Sequence, residues 1–399
     1  MQVFIFDWTA YAENVDKFKI DGEVPRLVGE HFEPEVAVNT YANHLAAWEE
    51  LERQGFDGVA INEHHGTPFG MGASPNLLAA ALSQRTERLK ILVYANLLPI
   101  HEPLRLAEEI AMLDCMTNGR LLCGVGRGAP REYKIFNVPM SESRSRFTEA
   151  FEVMRRAWTD DRLSFQGEHF SFDDVSIWPR TVQKPHPPIW IPLTGSKESI
   201  EWAAEQDAAI TPGVFPGPMR EDTIRYFAEC QRKHGRKVDP NKISIMVDCY
   251  VADSKEQAID EYGEHLMYLF NTLLRYDQVW QSDVKKTKYY SSTAFEHLRE
   301  GAKGTLAEDD TVFNEWTIET VRDAAQHMPI GTADEVVERI LAECDDAGAN
   351  NVLLVCNRGD MPHHMYMNQI RRIGEEVLPR LQAHNVTVVP HAEQREAAE

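Results

Sequence analysis

Short apolar runs alternate with amphipathic stretches along most of the chain. Eight of these runs read as strands: 3–7 (VFIFD), 58–65 (GVAINEHH), 89–99, 120–126, 189–192, 208–211, 243–252 and 351–356. The stretches between them carry helical spacing. Leu45, Trp48 and Leu51 share one face of a helix predicted over 40–54, and Gly55 supplies its end. Further helices are predicted at 76–86, from Pro103 to about Met116, at 142–159, from Glu198, at 220–234, from Lys255, at 333–347 and at 364–383. Strand and helix in alternation, eight times over, describe a parallel sheet with crossover helices. The expected fold is α/β, a (β/α)8 TIM barrel with insertions, and 399 residues is a normal length for one.

The interruptions of this rhythm carry information too. Residues 8–38 form a long polar stretch with Pro25 and Pro34. Residues 160–188 contain FQGEHFSFDD, whose alternation predicts a small hairpin outside the barrel wall. Residues 271–328 break the last unit with polar sequence that includes Lys285, Lys286, Lys288, Tyr289 and Tyr290. An insertion of that length in a barrel reads as a lid or as a surface excursion. No Pro/Gly/Ser-rich linker divides the chain, so one domain over 1–385 is expected, with a flexible tail over 386–399.

Composition narrows the function classes. Hydrophobic residues make up 43% of the chain, enough for a sizeable core, and the formal net charge is −22. That charge repels phosphate backbones and anionic lipid, which argues against a nucleic acid partner. No stretch approaches the roughly 20 apolar residues of a membrane helix, and the N-terminus lacks the pattern of a signal peptide. The six cysteines are scattered, without a C-x-x-C pair. A cytoplasmic enzyme with reduced thiols is the expectation.

In such a barrel the chemistry belongs at the C-terminal ends of the strands. The second strand ends in Asn62, Glu63, His64 and His65. Adjacent side chains point to opposite faces, so one histidine enters the mouth and the other does not. That arrangement suits proton transfer by a single imidazole better than a two-histidine metal site. The competing reading is a structural histidine bonded to the next loop. A metal-dependent hydrolase would have to assemble Glu63, His64 and His101. The fourth strand leaves through Gly124, Val125, Gly126, Arg127 and Gly128, a glycine-rich turn with an arginine fork suited to phosphate. The fifth leads into Thr194, Gly195, Ser196, Lys197, Glu198 and Ser199, small residues that can cap a helix and leave its amides to an anion. Together the two turns fit a phosphorylated cofactor such as FMN.

The run EHHGTPFG at 63–70 and the run from Leu97 to Gly128 resemble the bacterial luciferase-like flavin-dependent monooxygenases, the luciferase α subunit in particular. EWAAEQ at 201–206 and PIGTADEVVERI at 329–340 extend the likeness. The resemblance implies a barrel that takes reduced FMN from a separate flavin reductase, forms a flavin peroxide with oxygen and oxidises a small organic substrate. It implies a homodimer as well. By position, His64 corresponds to the histidine beside the flavin, Arg127 to the arginine on its phosphate, and Ser196 and Ser199 to the phosphate loop. Tyr94 and Ala95 correspond to a bulged, cis-linked pair behind the ring, with Asn96 next to it. Gly126 stands where luciferase has its reactive cysteine, Gly195 where it has an acidic residue, and the 8–38 loop is longer, so the resemblance implies flavin binding without implying light emission or long-chain aldehyde specificity. Some relatives on this scaffold use a reduced deazaflavin for hydride transfer instead. A catalytically silent flavin-binding relative is a further alternative, which His64 and Arg127 argue against.

Overall fold

A computed structural model describes residues 1–13, 15, 20–21, 24–25, 29–213, 218–273 and 316–393. Eight parallel strands form one sheet: β1 Gln2–Asp7, β2 Gly58–Ile61, β3 Lys90–Leu97, β4 Leu121–Gly126, β5 Ile189–Leu193, β6 Ala209–Pro212, β7 Ser244–Asp248 and β8 Asn351–Val355. Their spatial order is β6-β5-β4-β3-β2-β1-β8-β7. A single parallel bridge between Ile210 and Ile243 spans the seam from β6 to β7. The barrel expected from the alternation is therefore present.

Each strand alternates between two cores. Val3 and Ile5 face the helices, whereas Phe4 and Phe6 fill the lumen with Ala60, Leu92, Tyr94, Trp190, Leu353 and Val355. The lumen is a packed core, not a pore. Glycine makes room for it at Gly58, where a Cβ would collide with the Phe4 ring and the Lys90 carbonyl.

The helices are α1 Pro34–Gln54, α2 Pro75–Ser83, α3 Pro103–Met116, α4 Pro130–Ile135, α5 Ser143–Thr159, α6 Lys197–Glu205, α7 Pro218–Lys233, α8 Lys255–Tyr268, α9 Ile318–Ala325 and α10 Ala333–Ala347. A closing helical run covers 363–383. The hairpin expected within 160–188 is the antiparallel pair Leu163–Gln166 and Ser171–Val175.

Four expectations change. Helix α1 begins six residues before Thr40, because Pro34 suits a first helical turn. The stretch 243–252 is two strands, since Tyr250–Val251 leaves the barrel to pair with Ile330–Gly331. The loop after β4 contains α4, whose Pro130 at the start and Glu132 three residues past Ala129 form a helix-opening pattern. Finally, the segment from Val386 to 393 is docked rather than frayed. Val386 and Val389 are buried, and the Val386 amide donates to Asn350 Oδ1 at 2.8 Å. Of the predicted lid, residues 274–315, with the three lysines and two tyrosines singled out above, lie outside the described residues.

Candidate active site

Strand β2 ends at Ile61, but its alternation continues. Ala60 faces the lumen, which puts Asn62 and His64 on that side and turns Glu63 and His65 toward the helices. The contacts agree. Glu63 is buried and accepts from His101 Nε2 at 2.8 Å, His65 Nε2 at 2.9 Å and the Leu97 amide at 3.0 Å. His64 instead packs on Trp8, ring centroids 5.8 Å apart, and on Phe69 at 4.7 Å. Glu63, His64 and His101 therefore do not converge on one point, and the hydrolase reading has no ligand set. Among the described residues the metal-type spacing falls elsewhere, at Glu149, Glu168 and His169.

Behind His64 lies a charge pair on α4. His64 Nδ1 is 3.5 Å from Glu132 Oε1, a contact too long for a good hydrogen bond. Glu132 Oε1 also accepts from Arg131 Nη2 at 2.8 Å, and Oε2 accepts from the Ala129 amide at 2.8 Å. Burial alone would raise the Glu132 carboxyl, but His64 and Arg131 outweigh it and hold it at about 2. Burial pushes His64 the other way, below the ordinary histidine value, against the pull of Glu132. The imidazole is thus neutral near pH 7. The charge of the Glu132 carboxylate beside Nδ1 favours the tautomer with its proton there, which leaves the lone pair of a base on Nε2. Sequence reasoning missed Arg131 and Glu132 because they sit in a stretch taken for loop; the Pro130 helix opening was the available signal.

Strand β3 carries the second feature. The Tyr94–Ala95 peptide is cis, as the resemblance implied. Pairing with β4 shifts register between Val93 and Asn96, so Tyr94 and Ala95 both join the lumen cluster. Gly124 accommodates them, since a Cβ there would strike Val93 O and Tyr94 Cδ2. The Tyr94 hydroxyl bonds Thr211 Oγ1, which bonds Ser244 Oγ at 2.7 Å, which donates to Ile210 O at 3.0 Å. The terminal carbonyl can only accept, so the protons run from Tyr94 toward β6. Asn96 is fully buried, and its amide group has no partner among the described residues.

The third feature is a set of anion donors at the ends of β4 and β5. Arg127 Nη1 donates to Ser143 Oγ at 3.2 Å. The next residue, Arg144, donates from Nη2 to Ser196 Oγ at 3.0 Å. Ser196 is buried and precedes α6, entered through Gly195 at φ +83°. Ser199 lies in the first turn of α6, its amide donating to Ser196 O at 3.0 Å. The structure thus brings Arg127 and Ser196 toward one cluster and adds Arg144, which the sequence reading did not single out.

A small cleft of about 10 Å³, room for about one water molecule, opens beside the His64 stack. Trp8 and Phe69 are shared with that stack; Leu269, Leu273, Asn357 and Arg358 complete most of the wall. Arg358 is held by Asp248 at 2.6 and 3.0 Å and lies 4.9 Å over the Trp8 ring. Trp8 Nε1 and both Asn62 amide atoms are buried without a partner among the described residues. Such atoms are what a bound molecule satisfies. Two guanidinium groups, a serine hydroxyl and first-turn amides suit a phosphate monoester. The residues present therefore fit a phosphorylated flavin.

An eight-stranded barrel hosts many activities, and comparison with known proteins makes the assignment. The profile described as luciferase-like monooxygenase matches residues 25–351, and the chain belongs to that family. Among curated proteins it is 39% identical over 343 residues to the uncharacterized protein y4wF of Sinorhizobium fredii, covering 86% of this chain and 92% of that one. It is 25% identical to the alkanal monooxygenase alpha chain of the Kryptophanaron alfredi symbiont, with 75% and 82% covered. It is 27% identical to the oxygenase component of the flavin-dependent trigonelline monooxygenase of Acinetobacter baylyi, with 73% and 76% covered. Three solved structures share the fold. Monooxygenase RslO1 of Streptomyces bottropensis matches with TM-score 0.68 at 24% identity, over 95% of this chain and 99% of that one. The oxygenating constituent of 3,6-diketocamphane monooxygenase of Pseudomonas putida, in complex with FMN, matches at 0.69 and 19%, over 95% and 98%. The coenzyme F420 dependent tetrahydromethanopterin reductase of Methanopyrus kandleri matches at 0.61 and 15%, over 95% and 99%.

Proposed function

We propose that the protein is the oxygenase half of a two-component flavin monooxygenase. It takes reduced FMN from a separate flavin reductase and uses molecular oxygen to oxidise a small organic substrate. The observation that carries this reading is an imidazole stacked on Trp8 and Phe69, backed by a buried arginine–glutamate pair, at a barrel mouth that also holds phosphate donors. The relative named as an oxygenase component supports the reductase, and the FMN complex of a structural neighbour supports the cofactor.

When bound, reduced FMN supplies the two electrons that let dioxygen be divided between product and water. The chain's own residues do the rest. Arg127, Arg144, Ser196 and the first turn of α6 through Ser199 hold the phosphate. Tyr94 and Ala95 wall the lumen side, with Asn96 beside them. His64 Nε2 accepts or holds a proton at the reacting centre. Trp8 and Phe69 keep water from it. On this reading the enzyme works in the cytoplasm as a homodimer, in keeping with the family resemblance.

The test is FMN binding by fluorescence, followed by oxygen uptake with reduced FMN supplied by a generic reductase. FMN binding together with substrate-dependent oxygen uptake supports the proposal. Activity should fall as pH drops below the ordinary histidine range, because burial lowers the His64 pKa and the base form is lost only on the acid side. If the protein binds coenzyme F420 in preference to FMN, the alternative of deazaflavin hydride transfer, which shares the fold, replaces this reading.

A further inference from the structure

Glu198 stands among the donors of this cluster and carries the wrong charge for it. Its Oε2 accepts from Ser196 Oγ at 2.7 Å and lies 3.6 Å from Arg144 Nη2. Its carboxyl is held below the usual range first by the Ser196 hydroxyl, next by its own backbone amide in the first turn of α6, and then by the charges of Arg144 and Arg127. A hydroxyl, a helix-opening amide and two guanidinium groups are the donors assigned above to the cofactor's phosphate. In the ligand-free chain a carboxylate already takes the hydroxyl and faces Arg144, and the Arg127 charge acts on it from farther away. Its side chain is 59% exposed, so it can swing into water without burying a charge.

We propose that Glu198 is a tethered competitor for the phosphate, displaced each time a phosphate monoester enters and returned each time one leaves. This rests on the reading of the cluster as a phosphate site. The device would suit a protein that borrows its flavin rather than keeping it. It weakens binding by the strength of the contact that must be broken.

The experiment measures equilibrium binding of FMN, riboflavin and inorganic phosphate to the full chain and to Glu198→Gln. Glutamine keeps a group that can accept from Ser196 but removes the charge. FMN and phosphate should bind about two- to five-fold more tightly to the variant, the scale of a partly exposed ion pair. Riboflavin, which has no phosphate, should bind the two proteins equally. Glu201→Gln removes the same charge one turn further along α6 and should leave all three unchanged. Equal or weaker FMN and phosphate binding by Glu198→Gln would overturn the proposal and make Glu198 a plain helix cap. Equal tightening by Glu201→Gln would overturn it in favour of general charge. Should phosphate bind more tightly to the variant while neither flavin binds either protein, the flavin reading fails and the competitor survives.

Discussion

Two arginine–glutamate pairs stand near the same barrel mouth, and they are built in opposite ways. Arg131 and Glu132 have side chains 1% and 0% exposed; Arg144 and Glu198 have side chains 38% and 59% exposed. The first pair is sealed under Phe69 and against His64, with its remaining oxygen taken by a backbone amide. The second sits 3.6 Å apart across a serine hydroxyl. A sealed pair fixes the electrostatic surroundings of a neighbouring base, because neither charge can leave without stranding the other. An open pair costs little to break and can trade its anion for a ligand's. One mouth therefore has a permanent side and an exchangeable side.

The strongest way to break this comparison is to remove one sealed charge. Arg131→Ala should cost about 3–5 kcal/mol in urea unfolding, since it leaves Glu132 buried and unpaired. A cost below about 1 kcal/mol would mean that water reaches the pair. Next in size is His64→Gln, expected to lower turnover with reduced FMN by about 10²-fold while FMN affinity stays near that of the parent. Unchanged turnover would reduce His64 to packing and revive a silent flavin-binding protein. Third, the acid limb of stability should report Glu132. Its carboxyl is held at about 2 in the folded chain against an ordinary glutamate value of 4.5, so its contribution is full above about pH 4.5 and fades as pH falls toward 2. Glu132→Gln should flatten that part of a stability–pH profile. Smallest is Arg144→Ala, with stability within about 0.5 kcal/mol of the parent but weaker FMN binding and no change for riboflavin. Added salt should weaken FMN binding in the parent while leaving the sealed pair untouched.

The barrel was legible because period-2 and period-3.6 patterns are written into every unit: Phe4 and Phe6 against Val3 and Ile5, Leu45 with Trp48 and Leu51. His64, Arg127 and Ser196 were legible because strand ends are where such a fold puts chemistry. Arg131, Glu132, Arg144 and Glu198 were not. Charged residues in a polar stretch read as solvated surface, and nothing local says that α4 will fold its Arg131 and Glu132 under a phenylalanine from another loop. The docking of Val386 and Val389 escaped for the same reason, since it depends on Asn350, far back in the chain, receiving the turn.

The strand order also governs what happens during synthesis. Because β8 inserts between β1 and β7, the first strand to be made waits for the last before its second edge is covered. At translation rates of roughly 5–20 residues per second that wait is on the order of tens of seconds. A nascent chain at that stage holds six strands side by side with a bare edge at Gln2–Asp7, the kind of edge to which other chains add. The polar and acidic sequence that separates β7 from β8 lengthens the wait, so the yield of native protein on the ribosome should depend on chaperones that shield β1.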